Sequence, residues 1–282
     1  MRHIITPPLQ LNCDIALMGD THIGTVFCNE PAIDQAIDWV ASKPNRYFCF
    51  MGDAIEAITP DDKRFQADAV SEPFPERQAK YVIKKFWPIR KKGLVWLLGN
   101  HEERLKHIAN YAQYIADGLG IPYGTWTAKV LVRGKHRSYF KMFLKHSIRS
   151  TLNSMAKDYD QRLANMKATL KMQLREHAGD CMLMAVGHAH RILVADPIRK
   201  MVLMSDEEHK ELRNQYLVPH EWGEEYIDHD LRWYGVTGSF LKQYVEGLDG
   251  YAERAGYDPL EIGYLVAEVR GGKLRNVRPV VL

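Results

Sequence analysis

Residues 14–20 read Asp-Ile-Ala-Leu-Met-Gly-Asp, a short apolar run that stops at Gly19-Asp20. The run lacks polar alternation and is too short for a helix, which fits a strand buried on both faces, as in parallel sheets. The pattern returns twice. Tyr47-Phe-Cys-Phe-Met-Gly-Asp53 and Gly93-Leu-Val-Trp-Leu-Leu-Gly-Asn100 are also apolar, and also end in Gly followed by Asp or Asn. Helical patterns lie between them. Asn29 as a cap and Pro31 in the first turn precede Ile33, Ala36, Ile37 and Val40 at helical spacing. Residues 76–90 read as a second helix, and Leu105, Ile108, Ala109, Ala112 and Ile115 mark a third. Alternating strands and helices predict an α/β fold built on parallel strands.

Beyond this half the pattern changes. Residues 129–132 and 139–145 predict a hairpin with Gly134 in its turn, and 155–176 a long helix. Short strands follow at 181–187, 192–195, 200–204, 234–238, 263–269 and 276–282, while 54–75 reads as a long loop and the polar stretch 205–230 as an excursion. No repeat, low-complexity tract or linker divides the sequence, so one domain over residues 1–282 is expected.

Of the 282 residues, 46% are hydrophobic and 26% charged, which excludes a mainly disordered chain and leaves ample core. Lys and Arg number 38 against 35 Asp and Glu, a net charge of +3 that neither requires nor excludes a nucleic-acid partner. Pro7, Pro8 and Asp14 interrupt the apolar stretch a secretory signal needs, and no run is long enough to span a membrane. A cytoplasmic protein without a membrane partner is expected. Cys13, Cys28, Cys49 and Cys181 show no Cys-x-x-Cys spacing, which argues against a zinc ribbon or redox pair and for small buried hydrophobes.

In open α/β sheets, ligands bind beyond the carboxyl ends of the strands. Three strand ends therefore bring Asp20, His22, Asp53, Asn100 and His101 toward one site, each strand ending in a glycine that permits a sharp turn and close approach. Val186-Gly-His-Ala-His190 adds His188 and His190 after another apolar run, and His146 closes the strand at 139–145. Any one of these motifs is weak, but the ordered set is specific. His3, His107, His136, His177, His209, His220 and His229 carry no such context and read as surface or satisfied core residues.

Gly-Asp-Thr-His-Ile-Gly (19–24), Gly-Asp (52–53), Gly-Asn-His-Glu (99–102), the strand-end His146 and Gly-His-Ala-His (187–190) together resemble the signature of calcineurin-like metallophosphoesterases over roughly residues 12–195. The resemblance implies a four-layer αββα sandwich of two mixed sheets flanked by helices, with a metal-site core at about 12–204 and the extension 205–282 completing the second sheet. It also implies two divalent metal ions. One would be held by Asp20, His22, Asp53 and His190, the other by Asp53, Asn100, His146 and His188, with His101 catalytic and not a ligand. Mixed nitrogen and oxygen donors suit manganese, iron, zinc or nickel. Two neighbouring cations need an anionic bridge, which Asp53 supplies, and a hydroxide bridging them is a nucleophile at neutral pH. His101 is placed to stabilise charge or protonate the leaving oxygen, its ring oriented by Asp20 or Glu102.

The substrate is less legible. Asp20-Thr-His22-Ile-Gly24 is similar to the opening motif of SbcD-type nucleases, whereas Gly-Asn-His-Glu is shared with Ser/Thr protein phosphatases. Residues 99–105, 235–244 and 251–259 resemble phosphoesterases common in bacteriophages. The expectation is a phosphodiesterase or nuclease acting on DNA, RNA or nucleotides. The alternatives are a phosphomonoesterase acting on a phosphoprotein or metabolite and, third, a non-catalytic scaffold. Arg64, Arg104 and Arg191 fall in loops expected to flank the metals and are candidate phosphate ligands. The basic run Lys84, Lys85, Arg90, Lys91 and Lys92 reads as the wet face of a helix or as a track for phosphates, with Trp87 and Trp96 as core. The loop 54–75 and the helix 155–176 are expected to wall the pocket. A homodimer is left open.

Overall fold

A computed structural model describes the whole chain except residues 63–64, 149–151, 207, 209 and 218–225. Two mixed sheets carry the architecture. In the five-stranded sheet, β2 (Cys13–Met18), β3 (Arg46–Phe50) and β4 (Gly93–Trp96) run parallel, as their uninterrupted apolar sequences require. Strand β12 (Gly263–Arg270) adds antiparallel to β2, Leu265 opposite Leu17, and β13 (Lys273–Val281) closes the edge.

The six-stranded sheet has the order β1-β5-β6-β7-β11-β8. Its members are β1 (Arg2–Ile5), β5 (Thr127–Arg133), β6 (Ser138–Lys145), β7 (Leu183–Val186), β8 (Ile192–Ala195) and β11 (Trp233–Thr237). Strands β5 and β6 form the hairpin expected around Gly134, while β6, β7 and β11 are mutually parallel. The extension after residue 204, assigned by the sequence to the second sheet, contributes to both: β11 enters the six-stranded sheet and β12–β13 the five-stranded one. Apolar alternation identifies a strand but not its neighbour. Strand β1, which the sequence leaves unread, pairs in parallel with β5.

Four layers follow from where the apolar side chains meet. Ile15, Leu17, Cys49 and Val95 of one sheet pack against Val130, Met142, Leu144 and Leu183 of the other. The outer face of the five-stranded sheet is covered by α1 (Glu30–Ala41), α2 (Pro75–Phe86) and, after the short α3 (Asn100–Arg104), α4 (Tyr111–Leu119), through Ile33, Ile37, Val82, Phe86 and Ile115. Helix α5 (Tyr159–Leu174) covers the six-stranded sheet with Met166, Leu170 and Leu174. Each such side chain contributes about 1.5–3 kcal/mol by leaving water. Trp96 belongs to this core, stacked on Phe50 with ring centroids 3.8 Å apart. Trp87 does not: it is 47% exposed at the end of α2, with the Arg90 guanidinium 3.8 Å above its ring.

Helix ends are set by their caps. The Asn29 side chain accepts from Ala32 N–H at the start of α1, and the Lys92 ammonium donates to the carbonyls of Val40 and Lys43 at its end, both at 2.7 Å. Lys85 bonds Glu30 and Asp34, so two members of the basic run hold α1 in place. Arg232, fully buried, donates to the carbonyls of Arg175, Ala178 and Ile227 and ties the end of α5 to β11. All four cysteines are buried and unpaired, and burial pushes the thiols of Cys13, Cys28 and Cys181 up to about 12. The excursion after residue 200 includes β9 (Met201–Asp206) and β10 (Glu211–Tyr216), an antiparallel ribbon outside both main sheets. Among the described residues no helix is long and apolar enough to cross a membrane.

Candidate metal centre

Strands β2, β3 and β4 deliver Asp20, Asp53 and Asn100 at one end of their sheet, and β6 and β7 deliver His146 and His188 from the other. Backbone hydrogen bonds lace these loops together. Asp20 N–H donates to Gly52 O at 2.8 Å, and Thr21 and His22 N–H donate to Asp53 O at 2.9 and 3.1 Å. His188 N–H reaches both Asp20 carboxylate oxygens at 3.1 Å.

The turns differ from the expected ones. The left-handed backbone falls on the candidate ligands themselves: φ is 52° at Asp20, 47° at His22, 53° at Asp53, 73° at His188 and 51° at His190. Non-glycine residues adopt this region at a cost, and such strain concentrates at functional sites. Gly52, with φ of 99°, shares it, but Gly99 is needed mainly for space. A Cβ on Gly99 would lie 2.0 Å from Asp53 Oδ1, and one on Gly52 would lie 2.6 Å from His146 Nδ1.

Among the described residues, three groups of side chains at these strand ends converge closely enough to share a cation: Asp20, His22 and His190; Asp53, His146 and His188; and His22, Asp53 and His101. His22 Nε2 and His190 Nε2 are 3.2 Å apart, and His190 Nε2 is 3.3 Å from Asp20 Oδ1. His146 Nε2 lies 3.0 Å from Asn100 Oδ1 and 3.2 Å from Asp53 Oδ2. Asp53 Oδ2 is 3.9 Å from His22 Nε2, so this oxygen stands between the first two groups.

The rings are oriented from behind by groups that can only accept. His22 Nδ1 donates to Glu56 Oε2 at 2.9 Å and His146 Nδ1 to Met51 O at 2.7 Å, leaving both Nε2 lone pairs facing the site. Those lone pairs meet other acceptors, an arrangement favourable only with a cation or an extra proton between them. Asp53 Oδ2 is buried with no permanent donor among the described residues: His146 Nε2, 3.2 Å away, can donate to it only when protonated. The donor set thus fits divalent metal ions of the manganese, iron or zinc type.

Electrostatics agree. Burial opposes charge on Asp53, yet His146, His101 and His22 hold its carboxyl well below the usual range. Burial likewise disfavours protonated His146, but the Asp53 carboxylate raises it to about 9. His188 is exposed in the cleft, but the partial burial of its ring and the neighbouring His146 hold it below the ordinary imidazole value.

His101 lies at the edge of this cluster. Its N–H donates to Asp53 Oδ1 at 2.9 Å, and its Nδ1 donates to the Glu56 carbonyl. The ring is therefore oriented by Glu56, not by Asp20 or Glu102. Glu102 is instead a clamp: Oε1 accepts from Ala54 and Ile55 N–H at 2.6 and 3.2 Å, and Oε2 from Gly99 N–H at 3.0 Å. Burial, followed by the Asp53 charge, pushes Glu102 up to about 7. Glu56 was not legible beforehand. Its only signal is its place three residues after Asp53.

A cleft of about 920 Å³ opens over the cluster, with His22, Asp53, Asn100, His101, His188 and His190 on its floor. The 54–75 loop walls one side through Ile58, Phe65 and Val70, as expected. Helix α5 does not line it, because Met166, Leu170 and Leu174 pack on the far face of the six-stranded sheet. The second wall comes from residues 241–260, to which the sequence assigned no role. Arg104 lines the cleft, 3.7 Å from Asp62, whereas Arg191 is not among the lining residues and Arg64 lies outside the described residues.

The model of the calcineurin-like phosphoesterase family matches residues 14–192, which contain every one of these floor residues. The chain belongs to this family. It is a metal-dependent phosphoesterase, a hydrolase of a family that generally binds two divalent ions. No curated protein matches the phosphoesterase significantly. Similar solved structures include Vps29 of Entamoeba histolytica complexed with zinc, at 10% identity and a TM-score of 0.35, covering 95% of this chain and 98% of that one. Haemophilus influenzae NAD nucleotidase aligns at 13% identity and a TM-score of 0.40 over 96% of this phosphoesterase, which spans 50% of that chain. A predicted phosphoesterase from Streptococcus pneumoniae aligns at 9% identity and a TM-score of 0.29, covering 96% and 98% of the two chains.

Proposed function

We propose that this phosphoesterase is a dinuclear enzyme that hydrolyses phosphodiesters of nucleotides or nucleic acid. The observation that carries the dinuclear reading is Asp53 Oδ2: buried, without a permanent donor among the described residues, and 3.9 Å from His22 Nε2 of one group and 3.2 Å from His146 Nε2 of the other. Asp53 would bridge two ions, one completed by Asp20, His22 and His190, the other by Asn100, His146 and His188. When bound, the two cations supply Lewis acidity, lowering the pKa of a water nucleophile and neutralising phosphoryl charge.

The protein groups do the rest. His22 and His146 are held by Glu56 and Met51 with Nε2 aimed inward, so little reorganisation accompanies metal binding. His101, fixed through Nδ1 on the Glu56 carbonyl, presents its other nitrogen to the cleft as a donor to the leaving oxygen. Arg104 is the remaining candidate phosphate ligand on the cleft wall.

Two features favour a diester. The opening motif resembles that of SbcD-type nucleases, and the cleft extends past its floor along an apolar wall with room for a second ester substituent. The test is hydrolysis of bis-p-nitrophenyl phosphate against p-nitrophenyl phosphate in manganese, with Asp53→Asn as control. Diester preference lost in the control supports the reading. Preference for the monoester replaces it with a phosphomonoesterase, and inactivity with metal bound replaces it with a scaffold.

A further inference from the structure

The wall opposite the 54–75 loop is built onto the metal centre by backbone bonds. Phe240 N–H donates to the Asp20 carbonyl at 3.0 Å, and Asn29 N–H donates to the Phe240 carbonyl at 2.8 Å. Lys242 N–H donates to Phe27 O at 2.7 Å, so residues 240–242 are pinned between the first ligand loop and the start of α1. The chain returns as a closed loop: Leu260 N–H donates to Gln243 Oε1 at 2.6 Å and Gly263 N–H to Ser239 O at 3.0 Å. This wall lies beyond residues 14–192, the span that the family model matches.

Its chemistry is of two kinds. Leu241 and Tyr257 of this wall, with Phe27 behind them and Phe65 on the facing 54–75 loop, line the cleft with apolar and aromatic surface. Lys242 stands among them half-buried, with no carboxylate partner among the described residues, unlike Lys85, which is bridged to Glu30 and Asp34. A cleft-lining lysine without an internal partner is suited to pairing with an anion from outside. That anion is not the scissile phosphate, whose place is over the floor ligands. Only Leu241 separates Lys242 from Phe240, a reach of at most about 7 Å of chain before the side chain extends further. The volume of about 920 Å³ admits a nucleotide or the end of a single strand.

Resting on the diesterase reading, we infer that residues 241–260 form a nucleotide subsite, in which Lys242 binds a second phosphate flanking the scissile diester and the aromatic rings of Phe27 and Tyr257, facing Phe65 across the cleft, hold the base. Aromatic faces stack on any base, so the subsite selects nucleotides over simple alkyl phosphates without reading sequence. Lys242 is a specificity residue in this scheme and touches no reacting atom.

Three chromogenic diesters separate the parts: methyl p-nitrophenyl phosphate, deoxythymidine 5′-p-nitrophenyl phosphate, and the same nucleotide bearing a 3′-phosphate. In manganese-loaded enzyme, kcat/KM rises about tenfold at each addition, on the scale of one stacking contact and one charge-assisted contact. Lys242→Gln brings the second ratio close to one, and Phe65→Ala lowers the first. Without metal, in EDTA, calorimetry of deoxythymidine 3′,5′-bisphosphate shows binding weakened about tenfold by Lys242→Gln, with the variant's circular dichroism unchanged. Equal kcat/KM on all three diesters, or ratios and affinity indifferent to Lys242→Gln, overturn the subsite while the diesterase reading stands. Cleavage of p-nitrophenyl phosphate and of none of the diesters overturns both.

Discussion

Gly99 and Asp53 are in such close contact that a Cβ on the glycine would lie 2.1 Å from the Asp53 amide nitrogen and 2.0 Å from its Oδ1. The loop after β4 therefore rests directly on the aspartate proposed to bridge the ions. Gly99→Ala must push the two loops apart, which is expected to cost about 1–3 kcal/mol of stability. It should also weaken metal binding, read as a fall in bound metal by elemental analysis. Normal metal content in a stably folded Gly99→Ala protein would show that this contact does not set the site.

Glu102 joins the same two loops through three backbone N–H donors. Glu102→Gln puts an amide NH₂ against one of them, and an unsatisfied buried donor costs about 1–3 kcal/mol. Denaturant unfolding should detect that loss in the metal-free protein, where no ligand effect contributes.

His101 and His146 are separable by what they lose. His101→Ala is expected to lower turnover by about 10²–10⁴-fold, the range for a positioned acid, with metal content retained. His146→Ala should lose metal, since its Nε2 faces both Asp53 and Asn100. Metal loss in His101→Ala equal to that in His146→Ala would make His101 a ligand.

Asp180 gives a pH signature remote from the metals. Burial raises its carboxyl, but Lys129 and Lys141, at 2.6 Å each, bring the net shift below the ordinary value. A depressed folded pKa stabilises wherever the carboxyl is ionised, so the contribution is complete above the unfolded value of about 3.9 and is lost as pH falls through the folded one. Wild type should exceed Asp180→Asn in stability near neutrality and converge with it in acid. A gap that persists at low pH would assign the difference to packing instead.

Much of the floor was legible because parallel, doubly buried strands announce themselves as unbroken apolar runs, and each run here stops at a glycine before Asp20, Asp53 or Asn100. The α/β class followed from the same runs. Glu56 was hidden because its role depends on how the loop after β3 folds back on His22 and His101. The 241–260 wall was hidden for a similar reason: its link to Asp20 is a backbone bond from Phe240, which any residue other than proline could make. Helix α5 shows the converse. Its length suggested a wall, but which side it covers is decided by the three residues that pack, and those face away from the cleft.

The seating of β12 on β2, Leu265 against Leu17, also bears on how the protein is made. During synthesis the loop carrying Asp20 leaves the ribosome long before β12, so its strand gains this neighbour only after residues 263–270 have emerged. The sheet beneath the metal floor is thus among the last parts to close, a slow, non-local pairing. A ribosome-stalled chain ending before residue 263 is therefore expected to bind metal poorly although every floor residue is already present.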